Sequence, residues 1–185
     1  MSIFTIVWLL WGLSEIFLNR FFHSGKSDKK KQDKGTIIII WLTIAISMAL
    51  GINSKIYLRL PIGQSYIIPY LGLIFVILGM IIRGTAIITL GKFFTVDVTV
   101  RNDHKVIKEG VYRILRHPAY SGSLLSFFGF GISLNNWASL FFIIVPVTIA
   151  MLYRIKIEEM VLIEHFGYDY EEYMKTTYRL IPWVY

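Results

Sequence analysis

The chain has 185 residues, 55% of them hydrophobic and 17% charged, with 19 Lys and Arg against 12 Asp and Glu. Its mean hydropathy of +0.59 and pI near 9.6 describe a protein with too much apolar surface to hide in a soluble core, so lipid is part of its solvent. With no cysteine, disulfides, thiolate zinc sites and cysteine nucleophiles are excluded. The basic residues fall between apolar runs, which fits anionic headgroups rather than nucleic acid.

Five spans are expected, in an all-α, polytopic arrangement within a single domain over residues 1–185. The first apolar run, IFTIVWLLWGLSEIFL, covers 3–20 with its flank. No basic residue precedes it and no small-residue cleavage site follows, so it reads as a retained span and not a signal peptide. The second covers 36–53 and the third 66–90. Residues 119–153 are interrupted only by Asn135-Asn136 and are too long for one crossing. Asparagine tolerates turn conformations, so this region reads as two short helices, 119–134 and 137–153, forming a hairpin. Glu15 and Arg83, inside spans one and three, are expected to pair or snorkel.

Residues 19–34 carry six Lys or Arg and residues 91–118 carry six more, whereas 53–65 carry two and the Asn-Asn turn none. The positive-inside rule places 19–34, 91–118 and the C-terminal tail in the cytoplasm and the N-terminus outside. The run Lys29 to Lys31 reads as a topology signal. Beyond span five, RIKIEEMVLIEHFGYDYEEYMKTTYRLIP reads as the same helix continuing outward. Gly167 stops it, a short helix follows over about 169–176, and Pro182 closes the pattern.

Two polar clusters stand out in the water-facing segments. In DHKVIKEGVYRILRHPAYSG, Gly110 permits a tight turn and Pro118 suits the first turn of a helix. His117 then sits at a helix N-terminus, where free N–H groups attract anions. The competing reading is an interfacial anchor, with Arg113 and Arg116 on headgroups and Tyr112 and Tyr120 in the aromatic belt. In RIKIEE, Arg154 and Glu158 share a helix face as an i,i+4 pair. Glu158 can accept hydrogen bonds from an ammonium or a ribose hydroxyl, and Arg154 can hold a carboxylate in a two-pronged contact. The four histidines have no metal-ligand spacing and no metal is expected. There is no GxxxxGK[ST] loop and no GxGxxG after a strand, so no Rossmann cofactor site is expected and any nucleotide-like ligand needs another kind of pocket.

HKVIKEGVYRILRHPAYSG, the paired glutamates and FGYDYEEYMKTTYRLIP, in that order and spacing, resemble the isoprenylcysteine carboxyl methyltransferase family over roughly residues 91–185. The short five-span form is similar to prokaryotic members. The resemblance implies an integral membrane enzyme using S-adenosyl-L-methionine, with its cofactor pocket on the cytoplasmic side and a lipid substrate entering from the bilayer. It places His104, Lys105, Val106, Ile107, Tyr112, His117, Pro118, Ala119, Tyr120 and Glu158 around the cofactor and Arg154 near the substrate carboxylate. The implied partners are membrane lipids and a lipidic or prenylated methyl acceptor. Two other functions compete: a sterol-reductase-like NADPH oxidoreductase, which carries a similar RHPxY segment, and a non-enzymatic membrane scaffold or lipid-binding protein.

Overall fold

The computed structural model describes residues 1–21, 35–96 and 105–184. Among the described residues six α-helices carry the fold: α1 Ile3–Phe21, α2 Thr36–Tyr57, α3 Ile67–Leu90, α4 Pro118–Ser133, α5 Trp137–Phe166 and α6 Tyr168–Thr176. The protein is a helical integral membrane protein, with a single isolated β-bridge, Leu115 to Tyr178, among the described residues. Helices α2, α3 with its 3₁₀ extension to Phe93, and α5 are each long and apolar enough to cross a bilayer, whereas α1 contributes a shorter apolar stretch over Ile3–Leu18. Helix α4 has 16 residues and is about 24 Å long, less than the hydrocarbon thickness, so at least one of its ends lies inside the slab.

Helices cover all five ranges expected as spans, starting within a few residues of the expected positions, and the expected continuation of the fifth is an unbroken 30-residue α5. The Asn-Asn turn forms as expected. Asn135 takes a positive φ of 51°, and Asn136 caps α5 by accepting the Ser139 N–H at 3.0 Å. Gly167, at φ 53°, ends α5 and opens α6. Lys29 to Lys31 lie outside the described residues.

Lipid supplies no hydrophobic drive for helix association, so packing rests on close approach at small residues. On α3, Gly72 and Gly79 face Gly122, Ser126, Gly129 and Ser133 on α4. A Cβ on Gly129 would lie 2.6 Å from the Val76 backbone N, and one on Gly122 would lie 2.6 Å from the Gly79 carbonyl. The two backbones therefore touch along their length, and Ser126 Oγ donates to the Val76 carbonyl at 3.2 Å. A second seam joins α2 to α5, where Ser139 Oγ donates to the Gly51 carbonyl at 2.6 Å beside the fully buried Ile143. Helix α1 lies against α4 by aromatic contact, Trp8 on Phe130 and Trp11 on Phe127, at centroid distances of 5.0 and 4.9 Å. Outward-facing Leu9, Leu13, Ile38, Leu42, Ile74 and Ile81 are exposed, as lipid contact requires.

The α4–α5 turn docks on the α2–α3 loop. Asn135 Nδ2 donates to the Gly63 carbonyl at 2.9 Å, and Trp137 N–H donates to the Leu60 carbonyl at 2.9 Å. The two charge-poor connections thus meet at one end of the bundle, and the polar clusters gather at the other.

Gly129→Leu is expected to cost about 3 kcal/mol or more, because the clash is with backbone rather than with a movable side chain. Thermal unfolding in detergent reads this as a lowered midpoint.

Candidate active site

Helical spacing turns one stripe of each helix inward. Trp8, Trp11, Gly12 and Glu15 do so on α1; Ile37, Ile40, Trp41, Ile44 and Met48 on α2; Met151, Arg154, Glu158 and Leu162 on α5. Together with Phe127 and Phe130 of α4 they enclose a cavity of about 360 Å³, within the usual range of ligand sites. Its far part is walled by tryptophan, isoleucine, methionine and phenylalanine. Its near part is polar, lined by Lys105, Val106, Ile107, Tyr112, His117, Ala119, Tyr120, Arg154 and Glu158.

Those nine residues are ones the sequence singled out. Pro118 is buried at the first position of α4 and does not line the cavity. His104 lies outside the described residues. Arg83, Glu15, Tyr170, Tyr173 and the far apolar wall were not assigned to the site, although they line the same cavity. An ionisable residue within a span is itself a signal of function, and that signal was available for Arg83 and Glu15.

Consecutive helix residues point about 100° apart, so the paired glutamates do different work. Glu159 is 4% exposed and turned away from the cavity. Its carboxylate receives Arg116 Nε at 3.1 Å, Arg179 Nη2 at 2.6 Å and His117 Nε2 at 3.3 Å. Arg116 also donates from Nη1 to the Met174 carbonyl at 2.9 Å and to the Thr177 carbonyl. Backbone bonds reinforce the link: Arg116 N–H donates to Tyr178 O at 2.8 Å, and Tyr178 N–H to Ile114 O at 2.9 Å. RILRHP and TYRLIP, 64 residues apart in sequence, thus close on each other around one buried carboxylate.

Glu158 faces the cavity with a side chain 29% exposed. The Tyr120 hydroxyl donates to Glu158 Oε2 at 2.8 Å and accepts from Arg154 Nε at 2.9 Å. Arg154 also donates from Nη1 to Thr36 Oγ1 at 2.7 Å and from Nη2 to the Val96 carbonyl. All three of its nitrogens therefore hold protein oxygens. Arg83 lies beside the first turn of α4, where Nη1 donates to the Ala119 carbonyl at 3.1 Å, and its Nε sits 2.8 Å from Glu15 Oε1. The pairing of Glu15 with Arg83 matches the expectation from sequence.

Burial pushes the phenols of Tyr112, Tyr170 and Tyr173 well above their ordinary range, and the Glu158 charge adds to the rise for Tyr112 and Tyr170. All three stay protonated at physiological pH, so they remain hydrogen-bond donors. Tyr173 uses its proton on the Tyr112 carbonyl at 2.7 Å. Among the described residues no cluster of His, Asp and Glu is arranged to hold a metal ion.

Fold and cavity together define a helical membrane protein with an amphipathic cavity, charged at one end and apolar at the other. Residues 67–169 match the family described as phospholipid methyltransferase. Protein-S-isoprenylcysteine O-methyltransferase A of Arabidopsis thaliana is 34% identical over 152 residues, covering 80% of this chain and 77% of that protein. The B form from the same plant is 41% identical over 123 residues, 65% of this chain and 62% of that protein. The solved structure of the eukaryotic intramembrane Ras methyltransferase ICMT (isoprenylcysteine carboxyl methyltransferase) superposes with a TM-score of 0.63 at 27% identity, covering 86% of this chain and 55% of that one. The chain therefore belongs to the phospholipid methyltransferase family, beside the isoprenylcysteine methyltransferases that its motifs resemble. It spans 64% of the length of the rice relatives it matches.

Glu159→Gln is expected to leave Arg116 and Arg179 under-compensated in a buried setting and to cost about 3 kcal/mol. The loss is read as a lowered unfolding midpoint and as faster proteolysis of the C-terminal segment, whose attachment depends on this carboxylate.

Proposed function

We propose that the protein is a membrane carboxyl O-methyltransferase that transfers the methyl group of S-adenosyl-L-methionine to the carboxylate of a prenylated cysteine or a similar lipid acid. The observation that supports this most directly is the shape of the cavity. A polar mouth bearing Glu15, Glu158, Arg83, Arg116 and Arg154 runs into an apolar, aromatic-walled interior. A sterol-type oxidoreductase or a scaffold would not require that combination together with this family membership.

The residues present fit the cofactor. Glu158 has carboxylate capacity left over beyond its one bond from Tyr120 and offers an acceptor for an ammonium or ribose hydroxyls. Val106, Ile107 and Tyr112 supply apolar and aromatic surface for a base, and His117 lines the cavity at the α4 N-terminus. His104 and Lys105 precede them on the same segment. Pro118 and Ala119 set the backbone of the first α4 turn.

S-adenosyl-L-methionine supplies a methyl group made electrophilic by its positively charged sulfur. The acceptor carboxylate is already ionised at pH 7, so the chain needs no general base. Its task is alignment and exclusion of water. Arg154, held rigid by Tyr120, Thr36 and Val96, sets the field at the mouth and positions Tyr120. Arg83 is the second guanidinium available to an incoming carboxylate. The prenyl chain lies against Trp8, Trp11, Trp41, Ile44 and Met48, in the gap between α1 and α2.

The proposed orientation puts the mouth in the cytoplasm and the 58–66 and 134–136 connections outside. The charge distribution and the docking of those two connections on one another support it.

Calorimetry of detergent-purified protein with S-adenosylhomocysteine is expected to show saturable binding, weakened about tenfold or more in Glu158→Gln, at an unchanged unfolding midpoint. Labelled methyl is expected to appear on N-acetyl-S-farnesylcysteine. Absence of binding to folded wild type, or binding of NADPH instead, would refute the proposal. Because the chain has no native cysteine, single substitutions report topology directly. In sealed spheroplasts an impermeant maleimide is expected to label Asn135→Cys and to spare Arg113→Cys, and the reverse pattern would invert the assignment.

A further inference from the structure

Helices α1 and α3 are joined in the cavity wall by Glu15 and Arg83, each 18% exposed. Glu15 lies one turn beyond Trp11 on the inward stripe of α1, where apolar wall gives way to polar mouth. Its Oε1 is 2.8 Å from Arg83 Nε, yet it lies off the N–H axis. That N–H is buried with no aligned hydrogen-bond acceptor among the described residues. The contact neutralises charge without making the charge-assisted bond that an arginine and a carboxylate form at best. The remaining contacts of α1 with α3 and α4 include ring contacts of Phe4, Trp8 and Trp11, which tolerate a small shift of the helix.

A guanidinium in a low-dielectric wall is stabilised by a counter-anion, which Glu15 provides for Arg83. The acceptor brings one and, once methylated, takes it away. We infer that Glu15 is a placeholder carboxylate: it occupies Arg83 before the acceptor binds, yields it to the acceptor's carboxylate, and reclaims it when methylation leaves a neutral ester. This rests on the proposed methyl transfer to a lipid acid. Glu15 thereby determines specificity. Neutral lipids and the ester product cannot offer the charge needed to displace it, while an acid can. Re-pairing of Glu15 with Arg83 favours release of the product.

The test titrates full-length protein in nanodiscs with N-acetyl-S-farnesylcysteine and with its methyl ester. Binding is followed by fluorescence of the cavity tryptophans, and methyl transfer and S-adenosylhomocysteine binding are measured alongside. Wild type is expected to prefer acid over ester by about tenfold, and Arg83→Gln to erase that preference. Glu15→Gln is expected to bind the acid about threefold and the ester about tenfold more tightly, so that the preference for the acid narrows, with a lowered KM for the acid and stronger inhibition by the ester. Cofactor binding stays within about twofold throughout. A merely structural ion pair predicts the opposite for Glu15→Gln, a KM that rises or stays unchanged. Should Glu15→Gln fail to fold, Glu15→Asp keeps the counter-charge on a shorter arm. It is expected to tighten acid binding part-way, and no tightening overturns the inference. A wild type that binds S-adenosylhomocysteine but neither binds nor methylates the acid refutes the acceptor assignment and the inference together. Methylation of the acid with no gain in Glu15→Gln refutes the inference alone.

Discussion

The Glu159 carboxylate, buried between His117, Arg116 and Arg179, is the contact on which the charged end of the molecule depends. A carboxylate so enclosed is costly unless its oxygens are met by charged donors. Meeting that demand draws together three segments: the turn before α4, the outer half of α5, and the chain beyond α6. Once Arg116 is fixed on Glu159, its other arm fastens the Met174 and Thr177 carbonyls. The C-terminal segment is then folded back over the cavity mouth, with Tyr170 and Tyr173 in its wall.

The membrane imposes the complementary constraint. Backbone polar groups have to be satisfied within helices, and helix contact gains little from apolar surface alone. The glycine and serine seam between α3 and α4 meets this by backbone contact. That closeness carries Arg83 on α3 to the Ala119 carbonyl at the first turn of α4. Rigid packing in the bundle and the placement of a cavity charge are consequences of the same small residues. Helix α1, held by aromatic rings and one ion pair, is the more loosely joined wall.

Two chemistries share one cavity because one end of the bundle is built from interrupted, polar-flanked elements and the rest from uninterrupted apolar helix. Glu158, Tyr120 and Arg154 form a chain of bonds at 2.8 and 2.9 Å across the mouth. Two helical turns further along α5 lies Val147, fully buried in the apolar core. A ligand reaching both regions is amphipathic by necessity, which is the physical content of the proposed acceptor.

Sequence by itself determined the helical membrane architecture, because apolar length and loop charge are local properties of the chain. The Asn135-Asn136 turn, the Gly167 stop and the Pro118 start were legible for the same reason, each being a backbone preference of one or two residues. The residues of the mouth were legible as a pattern shared with a family. Three things needed the tertiary structure. The division of labour between Glu158 and Glu159 depends on which helix face meets the cavity. The commitment of all three Arg154 nitrogens to Tyr120, Thr36 and Val96 joins positions up to 118 residues apart. The entry of Glu15 and Arg83 into the cavity wall follows from how α1 and α3 lean on α4. Those facts are set by helix packing, and no local pattern of residues encodes which of several apolar faces will meet.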